Sequence, residues 1–177
     1  MEAAIKWEKE TIPYEGIVYR QIFVAGIPKI NGKRVPNEAH FIPDPDGLSV
    51  HWSKYITIEQ IYYIIALSFN KKGDYINYTS FKIYQFPISF LRDLEGIIDI
   101  KHDPVINGNP APIGHPNNRA HTLVIYPNDE EIRLNIADFV RDYYDNSYCD
   151  FDIRYLENEI KVLRERLNDT EYHKIRD

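Results

Sequence analysis

Apolar and polar positions alternate through GIVYRQIFVAGI, rich in β-branched and aromatic residues, and predict a strand over residues 17–24. LSVHWSK repeats the period of two: Leu48, Val50 and Trp52 point one way, and Ser49, His51 and Ser53 the other. INYTSFKIYQF, IIDIKHD and AHTLVIY predict three further strands. Between them the period lengthens. Thr57-Ile58-Glu59-Gln60 is a capping-box pattern ahead of IEQIYYIIALSFN, whose apolar residues cover more than one face, so this helix is expected to be buried against the sheet. Lys71-Lys72-Gly73-Asp74 is expected to end it. Pro87 opens a short helix that Gly96 can close in a left-handed conformation. Asn128-Asp129-Glu130-Glu131 is a second capping-box signal, and Ile132, Ile136, Phe139, Val140 and Tyr143 then form one helical stripe.

Two long connections interrupt this order. Residues 28–46 carry Asn31-Gly32, Pro36 and the Pro43–Gly47 turn residues, and a structureless loop of that length is usually functional or mobile. The other is the irregular segment from His102 to His121. Strands and helices interleave without a regular βαβ series. The pattern predicts one α+β domain over residues 1–150 with a mixed, mainly antiparallel sheet and packed helices. The tail, 151–177, differs: Ile153, Leu156, Ile160, Leu163 and Leu167 are spaced 3, 4, 3 and 4, a heptad seam of charged surroundings. A C-terminal heptad-patterned helix is expected there, packed on its own domain or, as the strict spacing favours, on another helix. A homo-oligomer or a protein partner would then be held through residues 153–167.

Composition changes the picture at few points. The 177 residues suit a single domain, and the 14 tyrosines supply large amphipathic contact area for half-exposed strands and interfaces. A net charge of −6 argues against broad nucleic-acid binding, which needs clustered Lys and Arg. Cys149 is the only cysteine, so neither an intrachain disulfide nor a cysteine zinc site is available, and a reducing cytoplasm is the expected compartment. Its acidic neighbours would raise a thiol pKa, which counts against a thiolate nucleophile. The opening MEAAIKWEKETIPYEG has no signal-peptide pattern, and IYYIIAL is far short of a membrane span.

Familiar catalytic motifs are absent: there is no P-loop, no GxGxxG after a strand, no HExxH and no GxSxG. Chemistry would rest on residues gathered by the fold. Arg20 sits inside the apolar IVYRQIF, where a guanidinium must snorkel, pair with a carboxylate, or hold an anion such as phosphate. Ser49 and His51 share a strand face that the 28–46 loop would have to line to make a cleft, and His40 could reach it. His102, Asp103, His115, Asn117, Asn118, Arg119 and His121 crowd the second long connection. His102, Asp103, His115 and His121 suit a metal-dependent nuclease, although no third ligand is set by spacing and no metal site is assigned. His121, at a strand start, is equally a core histidine hydrogen-bonded to a carbonyl.

The order Tyr19-Arg20, Ala39 with Phe41, Leu48-Ser49-Val50, Asp103-Pro104 and Ala120-His121 resembles a family of small uncharacterised bacterial proteins over residues 17–140. More distantly, an early strand bearing Arg20, a later one bearing Ser49 and a helix from Thr57 are similar in layout to the ADP-ribosyltransferase-like enzymes. That layout lacks a glutamate on a late strand here, since Glu130 and Glu131 open a helix. The leading expectation is a nucleotide-type ligand site, ADP-ribosyltransferase-like or NAD-processing if enzymatic. Arg20 would hold phosphate, with His40, Asp103 and Arg119 as further ligand-binding residues; Ser49, His51 and His121 would be catalytic. The rival is a non-enzymatic interaction module built on the Tyr-rich surface and the C-terminal helix. No cofactor is assigned.

Overall fold

The computed structural model describes residues 7–106 and 116–169. The strands in chain order are β1 (Ile17–Phe23), β2 (Lys29–Ile30), β3 (Lys33–Arg34), β4 (Leu48–Trp52), β5 (Phe81–Pro87), β6 (Asp99–His102), β7 (His121–Ile125) and β8 (Tyr148–Cys149). The α-helices are α1 (Ile58–Ala66), α2 (Ile88–Asp93), α3 (Glu130–Asp142), α4 (Tyr144–Ser147) and α5 (Glu157–Asp169). Six strands form one sheet in the order β6-β7-β4-β1-β5-β8, and every pairing in it is antiparallel. The α+β class expected from the interleaved pattern is therefore the observed one.

Strand alternation divides the side chains between two cores. Val18, Ile22, Val50, Trp52, Phe86 and Val124 point to one face, where α2 and α3 cover them with Ile88, Leu91, Ile132, Ile136 and Val140. Ile83 and Cys149 point to the opposite face, where α1 supplies Ile61, Tyr62 and Ile65. The sheet is thus clothed on both sides. The capping box at Thr57 is present: its hydroxyl accepts from the Gln60 amide, and the Gln60 side chain accepts from the Thr57 amide. At α3 Asp129 alone caps, accepting from Glu131 and Ile132. α1 ends at Ala66, earlier than the apolar run suggests, and the chain turns back through a bridge between Phe69 and Tyr75.

The connection at 28–46 is not structureless. Asn31 and Gly32 take positive φ, 50° and 80°, and turn β2 back onto β3, as an Asn-Gly pair does in a two-residue hairpin. A 3₁₀ turn over Glu38–Phe41 follows and buries Phe41. Gly96 has the positive φ (91°) expected behind α2, and a Cβ there would sit 2.4 Å from Ile132 Cδ1.

The C-terminal helix packs on its own domain. Leu156 is fully buried and Ile160 nearly so in the core beneath α1. Arg164 fastens the next turn by donating to the carbonyls of Ala66 and Ile76 while lying over the Tyr75 ring. Leu156 and Ile160, two of the five expected seam residues, are therefore occupied in cis. The side chain of Leu167 lies outside the residues described.

Candidate functional site

The face under α1 is only partly apolar. Tyr19 of β1 pairs with His51 of β4, so Gln21 and Ser49, two residues along each strand, share that face with them. His51 is in turn opposite His121 of β7. Four polar side chains are thereby lined up under the helix. The helix does not close on them: a cavity of about 230 Å³ remains, walled by Gln21, Ser49, His51, Asn118 and His121 on one side. Ile64, Ile65, Ile76 and Phe81 wall the other. A second recess of about 410 Å³ shares Ser49 and His121 with it and is bordered by Asp44, Asp46, Lys101 and Asp103.

His121 is held by its neighbours in one arrangement. Its Nδ1 lies 2.7 Å from the main-chain carbonyl of Asp103, which can only accept, so Nδ1 carries the proton. In the neutral ring Nε2 then carries the lone pair, 2.9 Å from Ser49 Oγ, and the hydroxyl donates to it. A serine donating to an imidazole whose far nitrogen is fixed by an acceptor is the arrangement that a nucleophile and its general base require. The Asp103 carboxylate takes no part in orienting the ring. It pairs with Lys9, whose hydrogen bond holds the acid below its ordinary range.

His51 is wired differently. The backbone N–H of Ala120 donates to Asn118 Oδ1 (3.1 Å), which turns the Asn118 NH2 toward His51 Nδ1, also at 3.1 Å. Nδ1 must accept, so His51 carries its proton on Nε2 and donates it to Gln21 Oε1 at 3.0 Å. Burial, then the neighbouring His121 and Arg20, push the imidazole from 6.5 down to about 3. Both ring nitrogens are engaged and the ring stays neutral, which does not fit the catalytic role expected of His51.

The sign of that shift sets a pH dependence. Between pH 6.5 and about 3 the unfolded chain binds a proton that the folded chain refuses, so stability is whole above 6.5 and declines on acidification. Across that window His51 contributes a slope of about 1.4 kcal/mol per pH unit. Urea unfolding at pH 6, 5 and 4 is expected to show a shallower decline in His51→Gln than in the unaltered chain; equal slopes would mean that the imidazole is not held neutral.

The remaining expected residues are placed elsewhere. Arg20 does not line the cavity. It alternates with Val18 and Ile22 toward the α3 side, opposite Tyr84, and its Nη1 donates to the Ser49 carbonyl at 2.7 Å. Among the described residues no carboxylate pairs with it, and burial lowers its pKa. The phosphate role expected of it is thus corrected to a bracing one, since strand alternation turns it away from Ser49 Oγ and His121. His40 caps its own 3₁₀ turn, with Nδ1 3.1 Å from the Asn37 amide, and stays out of the cavity. Arg119 stacks over the Tyr55 ring at 4.0 Å and pairs with Glu10 at 3.6 Å, on the outside of the site. The recess beside Ser49 takes up the Asp103 carboxylate, not the cavity.

Among the described residues the nuclease set is not brought together. His102 is buried on the other face, accepting from the Glu10 amide and donating to the Arg119 carbonyl. His115 lies outside the described residues. Among the described residues there is no group of three or more His, Cys, Asp or Glu side chains placed to hold a metal ion. Cys149 is buried, which pushes its thiol up to about 12 and leaves it unfit as a nucleophile.

Gln21 is the wall residue that pattern reading passes over. The eye stops on its charged neighbour Arg20, whereas the period of two groups Gln21 with Tyr19 and Phe23 on the cavity side. Asn118 reads as a turn former, and nothing in NNRAH says which way its amide points. None of the described helices is long and apolar enough to cross a membrane. No family model, no curated protein and no solved structure matches this chain, so the site is read from its own geometry.

Proposed function

We propose that the chain binds a small, neutral, largely apolar ligand beneath α1 and that Ser49, with His121 as its base, attacks an acyl carbon of that ligand. The reaction class is hydrolysis or acyl transfer. In it Ser49 Oγ bonds to the acyl carbon as its proton passes to His121 Nε2, and the imidazolium returns that proton to the departing alcohol or amine. Water or a second alcohol then releases the acyl group by the same steps reversed. The observation that carries the reading is the 2.9 Å contact between Ser49 Oγ and His121 Nε2, with Nδ1 committed to a carbonyl.

The nucleotide-type ligand expected from the sequence draws less support. Among the described residues no arginine or lysine lines the cavity, and the adjoining recess sets Asp44, Asp46 and Asp103 against Lys101 and the Lys9 that pairs with Asp103. A phosphate would meet net negative charge there. An ADP-ribosyltransferase-like or NAD-processing activity would need another partner for the diphosphate. The interaction-module reading draws less support as well, because α5 spends Leu156 and Ile160 on its own core.

A fluorophosphonate, which traps a serine activated by a histidine, tests the proposal. One mass addition is expected on the peptide holding Ser49, and none in Ser49→Ala. An unreacted native chain, or reaction at another residue, would defeat the reading. A panel of NAD, ATP and GTP is expected to leave the melting temperature unmoved, whereas a saturating nucleotide that binds the folded chain must raise it.

A further inference from the structure

We propose that the side-chain NH2 of Gln21 is the donor that engages the carbonyl oxygen of the ligand, and that Asn118 and His51 are positioning residues that turn it into the cavity. This rests on the reading of Ser49 as the nucleophile.

The argument begins at a group whose polarity is not in question. A backbone N–H only donates, so the Asn118 atom facing Ala120 N is the amide oxygen. Its NH2 end therefore faces His51 Nδ1, and the neutral ring must present N–H from Nε2. The Gln21 atom 3.0 Å from Nε2 is then the oxygen. Each link fixes the next, and the relay finishes on the NH2 of Gln21, for which no described residue is an acceptor. Gln21 stands in the cavity wall on the same face as Ser49.

A relay of this kind does more than fill space. A serine nucleophile converts a carbonyl oxygen into an oxyanion, and a donor held in place before the reaction stabilises that charge without reorganising. Three side chains commit their hydrogen bonds to presenting one donor, and the ring in the middle stays uncharged. A cationic His51 would offer N–H at both nitrogens and clash with the Asn118 NH2. The ligand this selects carries a neutral carbonyl, as in an ester, thioester or amide. A cationic ligand would meet a donor where it has no acceptor to offer.

The test is steady-state hydrolysis of p-nitrophenyl acetate by the full chain, with Ser49→Ala as the blank. In Gln21→Ala kcat is expected to fall on the order of 10²-fold with KM nearly unchanged, the size of losing one oxyanion donor. Gln21→Glu, close in shape but offering a carboxylate, is expected to lose at least as much. His51→Phe is expected to fall by a similar factor, and the double variant with Gln21→Ala no further than either alone, because both remove the same interaction. Losses that multiply in the double variant would make His51 merely structural and overturn the relay. Native turnover with Gln21→Ala and Gln21→Glu unimpaired would overturn the donor role while leaving Ser49 as nucleophile. A native chain no faster than Ser49→Ala would overturn the nucleophile itself.

Discussion

Replacing His121 with alanine is expected to slow ester turnover by about 10²–10⁴-fold, the range over which a positioned general base contributes. The loss should fall on kcat, because the imidazole touches the reacting hydroxyl and forms only part of the cavity wall. Folding should survive the change. His121 is half-buried, and among the described residues its ring bonds to Ser49 Oγ and the Asp103 carbonyl, the latter able to turn to water at the edge of the recess. Fluorophosphonate reaction at Ser49 should slow in step, since both reactions need the same proton removed. His121→Gln is the stricter variant: it keeps polar bulk near Ser49 but takes up no proton at neutral pH. Full activity in either variant would leave Ser49 without a base.

Truncating Leu156 to alanine should destabilise the whole chain by about 2–5 kcal/mol, the cost of a buried leucine whose cavity does not collapse. Leu156 is fully buried among Ile61, Tyr62, Ile83 and Ile160, residues drawn from α1, β5 and α5, so the cavity would be lined from several elements that do not move together. The loss should appear as one cooperative urea transition at a lower midpoint. Light scattering on both proteins should return the same molar mass. An unchanged midpoint with a reduced mass would instead make the seam a contact between chains.

The tail shows how spacing leaves its partner open. Leu156 and Ile160 are buried and Ile153 packs against the same core, and spacing alone does not say what they meet. Here the answer came from a surface far off in sequence, α1 and the segment up to Tyr78, fastened by Arg164 on two carbonyls. The strands were more legible, because a period of two carries its own face assignment: Leu48, Val50 and Trp52 are on the α3 side as the alternation requires. The same rule, applied to IVYRQIF, separates Arg20 from Ser49 and His51 once β1 and β4 are paired. Register was the missing quantity. It depends on contacts 30 residues apart, such as the one between His51 and Gln21, and no local pattern encodes it. Tautomers were further out of reach, since they are set by a carbonyl at Asp103 and an amide at Ala120 that any residue type but proline would supply.

The sheet order has a consequence for synthesis. β1 sits inside the sheet between β4 and β5, while β8 and α5, which finish the core beneath α1, come from the last part of the chain described. On the ribosome, the α2–α3 side can be sealed while Ile61, Ile65 and Ile83 still face water. The nascent molecule passes through a stage with one greasy flank, and it is there that a chaperone would bind and that aggregation would start.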